Sequence, residues 1–199
     1  FRDAVERFQP DLVFATNENK TAATAYLSTV QSRGETDVFS ALEPIMRMVP
    51  RPGLPSIVSI LSDGRATVGQ KDARAIINGL TATNDLRNSV FAFGGGETVH
   101  RYLLELLAYR NKGEFEVVSK IQDIEKGFPA FFQHFSEPLL VNLHADYGQI
   151  DAQNVFPRVL PDFFRGKAVT VYGRFKPATD KEFVMRLTGA AQDRTKELI

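Results

Sequence analysis

The sequence contains no cysteine, which removes disulfides, thiolate zinc sites and cysteine nucleophiles together. It carries no charge excess: 24 Lys and Arg balance 24 Asp and Glu. Nucleic-acid binders show a basic excess or stripe, and none is present, so nucleic acid is not an expected partner. No uninterrupted apolar run reaches the length of a membrane-spanning helix, and no signal-like apolar region stands at the N-terminus, so direct membrane insertion is not expected. The phosphate-binding patterns G-x-x-x-x-G-K-[ST] and G-x-G-x-x-G, the zinc pattern H-E-x-x-H and the hydrolase elbow G-x-S-x-G are all missing. The three histidines, His100, His134 and His144, lie far apart, which reads as surface or cap residues rather than metal ligands.

What the 199 residues do contain is a regular succession of strand and helix patterns. After a strand-like opening from Phe1 to Phe8, the segment Glu18 to Arg33 places Ala23, Leu27 and Val30 at helical spacing and stops at Gly34, a residue suited to a left-handed cap. Val38, Leu42, Ile45 and Val49 form the next apolar stripe, ended by Pro50, Pro52 and Pro55. Ile57 to Leu61 is nearly all apolar and predicts a parallel strand buried on both faces. The pattern then gives a helix with Ala73, Ile76, Ile77 and Leu80, and a strand from Val90 to Phe93 ended by a tight turn at Gly94 to Gly96. A helix with Val99, Leu103, Leu106 and Leu107, a strand from Phe115 to Val118, and a helix with Ile121, Ile124, Phe128, Phe131 and Phe135 follow. The expected fold class is therefore α/β, with a doubly wound, mostly parallel sheet. The phenylalanines of the last helix fall on one face, with Phe132 at its margin, which is core packing rather than a binding surface.

Around Ser136 the character changes. β-type runs from Leu139 to Tyr147, Ala168 to Phe175 and Phe183 to Leu187 are separated by turn residues, with a helical pattern only in the last few residues. We read residues 1–136 as the α/β domain and 137–199 as a β-rich flanking segment, part of an antiparallel sandwich whose core is small for an independent unit.

Two stretches carry chemistry. In Ser56 to Gly64 an apolar run ends in Ser62, Asp63 and Gly64, which puts a carboxylate at a strand's carboxyl end, where open α/β sheets place their ligand sites. Arg33 to Leu42 sets Thr36 and Asp37 at the start of an apolar-periodic helix. Two oxygen-rich turns suit a hard divalent cation. Each also has an ordinary reading: Thr36 and Asp37 as helix N-caps, Asp63 and Gly64 as a strand-end turn. Arg51, Arg65, Lys71 and Arg74 stand near these turns in sequence, with solvated charge as their default role.

The ordered set FRDAVERFQPDLVFAT, the helix led by ENK, RGETDVFSAL, SIVSILSDGRAT, VFAFGGGETVHRYLLELLAYRNKGEFEVV, FSEPLL and LPDFFRGKAVTVYGRF resembles a von Willebrand factor A domain. More narrowly, it resembles the kind found in inter-alpha-trypsin inhibitor heavy chains and their bacterial relatives. The resemblance implies a metal-ion-dependent adhesion site holding Mg2+, Mn2+ or Ca2+, with Thr36 and Asp63 as ligands, Ser62 and Asp37 supporting them, and Glu35 and Gly64 at the rim. Glu35 stands where relatives commonly have glycine. The implied function is non-enzymatic protein binding, an acidic partner residue completing the cation's shell, in an extracytoplasmic or cell-surface setting. Rival readings are a metal-dependent α/β hydrolase or phosphotransfer enzyme using Asp63, and a structural module with a decayed site.

The family's first metal loop, Asp-x-Ser-x-Ser, occurs nowhere in the sequence. Phe1 aligns with the end of the family's second strand, so the central strand and that loop are expected upstream. They would be supplied by a separate polypeptide, by domain exchange or by residues cleaved yet retained, and cation binding is expected to be weaker without them. An unpaired buried strand edge is costly, which motivates the expectation.

Overall fold

The computed structural model describes residues 5–31, 34–51, 54–174, 184–191 and 194–198. Its first half runs α1 Asn17–Thr29, α2 Val38–Met46, β1 Ile57–Leu61, α3 Ala73–Asn84, β2 Ser89–Gly95, α4 Arg101–Arg110, β3 Phe115–Val118 and α5 Ile124–Gln133. The three strands form one sheet in the order β1-β2-β3, parallel throughout. β2 lies at its centre, and because every second residue of a strand faces the same way, its side chains divide between two cores. Val90 and Ala92 join the core built with α2, α3 and α4. Phe91 and Phe93 join a second core with Phe131 and Phe135 at the other face, where the Phe91 and Phe135 rings stack 4.0 Å apart. With helices on both faces the sheet is doubly wound, as the alternation implies.

Departures from the sequence pattern cluster at the N-terminal side. Residues 5–8 form no strand, and 1–4 lie outside the described residues. α1 ends at Thr29, with Val30 extended rather than helical, so Gly34 is not its cap although its backbone is left-handed (φ 84°). The stripe assigned to α1 is not buried: the helix has no buried residue, and Leu27 is 67% exposed. Val49 lies beyond α2 and is exposed. β1 is covered on its second face only at Ile57, which packs against the second core. Ile60 is buried, but Ser59 and Leu61 are exposed, since β1 is the edge of the described sheet and nothing described packs on its second face there. Arg33 and Pro52 lie outside the described residues.

The second half adds β4 Pro138–Asp146, β5 Val155–Phe156, β6 Phe163–Phe164, β7 Tyr172–Gly173, β8 Arg186–Ala191 and β9 Arg194–Leu198. An antiparallel sheet has the order β6-β4-β8-β9, and β5 pairs with β7. Only Tyr172–Gly173 of the run from Ala168 is strand, while Phe175 and Phe183 lie outside the described residues. The chain's last described segment is a strand, not the helix its pattern implies, because Arg194–Leu198 pairs along β8. Leu140, Leu143 and Leu160 form a small third core. The two halves meet in earnest: Phe164 of β6 packs in the second core, its ring 5.5 Å from Phe91.

Candidate functional site

The carboxyl end of β1 turns sharply at Ser62 to Arg65. Ser62 Oγ accepts from the Gly64 amide at 3.0 Å, and Asp63 Oδ1 accepts from the Arg65 amide at 3.0 Å. These short side-chain turns replace ladder bonds where the strand stops. Gly64 is buried with φ 70°, and a Cβ there would meet Leu104 Cγ at 2.8 Å, so only glycine suits the turn. The Asp63 carbonyl accepts from the His100 amide at 2.7 Å, tying the turn to the start of α4. His100 in turn caps that helix, its ring Nδ1 accepting from Leu103 N at 3.3 Å.

The loop before α2 is stitched to the same end of the sheet. The Thr36 amide donates to Thr67 Oγ1 at 2.7 Å, and the Thr36 carbonyl accepts from the Thr67 and Val68 amides at 2.9 and 3.3 Å. Asp37 is the N-cap of α2: Oδ1 accepts from Ser40 N at 3.0 Å and Oδ2 from Ser40 Oγ at 2.8 Å. Oδ1 therefore satisfies one of the helix's orphan amides, while Oδ2 holds the Ser40 hydroxyl. Thr36 does not cap. Its hydroxyl and Asp63 Oδ2 have no hydrogen-bond partner among the described residues. Asp63 and Glu35 are exposed, Thr36 and Ser62 half-buried, and Arg51, Arg65, Lys71 and Arg74 are exposed. The structure thus ties the loop of Thr36 to Thr67 and Val68, in the segment that follows Asp63. Among the described residues no group of three or more His, Asp or Glu could hold a metal.

Two polar clusters at the opposite end of the sheet escape the sequence reading. In the first, buried Asn84 donates to the Asn88 carbonyl and to Asn111 Oδ1, both at 2.8 Å. Asn88 Nδ2 donates to Asn84 Oδ1 at 2.8 Å and reaches the Met46 and Met48 carbonyls at 3.3 and 3.4 Å, while Ser56 Oγ donates to Asn88 Oδ1 at 2.6 Å. In the second, buried Asp162 accepts from Ser89 Oγ and from the Asn142 amide, and Lys112 Nζ lies 3.5 Å from its carboxylate. Spacing gives no sign of such pairs, since Ser89 and Asp162 are far apart in sequence. The one local clue is two asparagines at helix ends, Asn84 and Asn111, where side-chain amides satisfy orphan groups.

No family model matches the chain. Inter-alpha-trypsin inhibitor heavy chain H2 of Sus scrofa is 26% identical over 185 residues, covering 89% of this chain and 20% of that protein. Heavy chain H4 of Bos taurus is 24% identical over 204 residues, covering 95% and 22%. A von Willebrand factor A domain-containing protein of Dictyostelium discoideum is 31% identical over 158 residues, 78% of this chain and 7% of its own length. The chain spans about a fifth of the length of the heavy chains it matches. Among solved structures, a von Willebrand factor type A protein from Catenulispora acidiphila aligns with TM-score 0.61 and 12% identity, covering 92% of this chain and 50% of that one. The ArnB paralog VWA2 from Sulfolobus acidocaldarius aligns with TM-score 0.53 and 16% identity, over 85% and 46%. At such identities the likeness is one of fold.

Proposed function

Since the chain carries a von Willebrand factor A domain distantly related to the inter-alpha-trypsin inhibitor heavy chains over most of its length, we propose that the carboxyl end of its sheet is a cation-dependent protein-docking face. Domains of this family typically serve as binding modules rather than enzymes. The observation that carries the proposal is the pair of uncommitted oxygens, Thr36 Oγ1 and Asp63 Oδ2, on two loops held together by the Thr36–Thr67 bonds.

These donors fit a hard cation in kind, one hydroxyl and one carboxylate, and in number they fill two of about six magnesium positions. Water, upstream residues of the same protein or a second chain, and an acidic partner side chain would fill the rest. Low ligand charge would leave a bound Mg2+, Mn2+ or Ca2+ electrophilic toward that partner carboxylate. Ser62 would orient the turn through its bond to Gly64, and Asp37 would hold the Thr36 loop by capping α2, while Glu35 and Gly64 stand at the rim. A cell-surface or extracytoplasmic setting is part of this reading. No helix among the described residues is long and apolar enough to cross a membrane.

Isothermal calorimetry with MgCl2 and MnCl2 tests it. Asp63→Ala is expected to abolish the binding heat and Thr36→Val to weaken binding about tenfold, the worth of one charge-assisted contact, with melting in EDTA unchanged for both. Cation binding indifferent to both substitutions, or no binding heat in the unaltered chain, would overturn the assignment.

A further inference from the structure

At the end of the sheet opposite Thr36 and Asp63, the turn after α4 and the bulged middle of β4 face each other with unusual backbones. Lys112 has φ 65° and Asn142 φ 54°, left-handed conformations that residues with a Cβ rarely adopt. Their side chains meet, Lys112 Nζ donating to Asn142 Oδ1 at 3.1 Å. Strained positions that hold one another's side chains commonly mark sites of function.

Lys112 is also under-partnered. Its side chain is 5% exposed, and its ammonium carries three hydrogens. Among the described residues it has two acceptors, Asn142 Oδ1 and the Asp162 carboxylate, the latter at 3.5 Å, long for a hydrogen bond. Asp162 is occupied instead by Ser89 Oγ and the Asn142 amide. A buried donor without an acceptor is costly, and this one lines a cleft.

The cleft has a volume of about 400 Å3, at the lower end of small-molecule sites. Asn142, His144, Tyr147 and Arg158 supply its other polar lining, and Leu143 and Leu160 part of its apolar wall, with no carboxylate among the lining residues. Arg158 is held in place, its guanidinium 4.7 Å from the Phe156 ring centre and Nη1 donating to the Ala152 carbonyl at 3.1 Å. Burial raises the Tyr147 phenol above its usual range, so at neutral pH it remains a donor. Asp162 behind Lys112 offsets one of the two cationic side chains, leaving a balance of one positive charge. That balance matches a monoanion better than a phosphate.

We propose that this cleft binds a carboxylate carried on a short apolar chain, the head group against Lys112, Tyr147 and Arg158 and the chain against Leu143 and Leu160. The site is separate from the cation face and stands whether or not that reading holds.

Octanoate, titrated into the 15N-labelled full chain, is the probe. Saturable shifts of the Leu143, His144 and Val159 amides are expected, with octanol producing none at the same concentration. Arg158→Gln, which leaves the buried pair intact, is expected to weaken octanoate binding about tenfold, one charge-assisted contact. A Lys112→Met, Asp162→Asn double variant removes the pair without stranding a charge and is expected to abolish binding while the amide spectrum stays dispersed. Equal binding of octanol, shifts confined to residues outside the cleft, or undiminished binding by folded forms of both variants would each overturn the assignment.

Discussion

At the residue scale the most consequential side chains are the buried asparagines. Asn88 alone links the end of α2 and the turn after it, through the Met46 and Met48 carbonyls, to α3, through Asn84, and to the residue before β1, through Ser56. Buried polar groups left without partners cost more than the bonds themselves return. Asn88→Ala leaves Asn84 Oδ1 with the backbone amide of residue 88 but strands the Met46 and Met48 carbonyls and the Ser56 hydroxyl, so it is expected to destabilise the fold by roughly 3 kcal/mol, two or three unsatisfied groups at the usual cost. Urea unfolding checks this: the midpoint should fall while the slope is unchanged. None of it is legible from the sequence, because asparagine's role is set by neighbours that only the fold supplies. Thr36 and Asp63, by contrast, were legible as a pair of loops at a helix start and a strand end. Which of Thr36 and Asp37 caps α2 was not, since both residue types cap helices. The bonds from Ser40 to Asp37 assign the cap.

At the element scale, legibility tracks burial. The helices and strands that sandwich β2 follow the apolar spacing closely: Ile76, Ile77 and Leu80 of α3 and Leu103 and Leu107 of α4 are all buried. The pattern of α1 reads equally helical, and the helix forms, with Thr16 capping it through Asn19 N at 3.2 Å. Yet none of its residues is buried, because periodicity reports which face is apolar and not what covers it. A helix of 13 residues without tertiary packing is marginal. In the isolated chain, α1 amides are therefore expected to exchange with solvent at nearly unprotected rates, while β2 amides exchange only on global unfolding. Native-state hydrogen exchange followed by mass spectrometry reads both in one experiment. Strong protection of α1 would mean that its apolar face is covered in solution. β1 poses the same question more gently, as its ladder to β2 is intact from Ile57 to Leu61, while its far edge has no partner strand among the described residues and the Leu61 side chain is exposed.

On the scale of the whole molecule, the change of pattern near Ser136 marks a change of architecture, from parallel to antiparallel pairing, but the packing crosses it. Phe164 closes the aromatic core around Phe91, Asp162 takes the Ser89 hydroxyl, and Lys167 pairs with Glu114 at 2.9 Å. The small core of Leu140, Leu143 and Leu160 has little to sustain it alone. The two segments are thus expected to unfold as one cooperative unit, so near- and far-ultraviolet circular dichroism should give coincident melting curves. Phe164→Ala removes a ring from a filled core and should cost about 3–5 kcal/mol, lowering the single transition without splitting it. A chain ended at Ser136 would lose Phe164 and Asp162 together, opening the face of Phe91 to water and leaving the Ser89 hydroxyl without its acceptor, and should melt well below the full chain. Two separated transitions, or a chain ended at Ser136 that is as stable as the whole, would instead establish two independent domains divided where the sequence pattern changes. In that case the cleft beside Lys112 would be a gap between neighbours rather than a site built into one body.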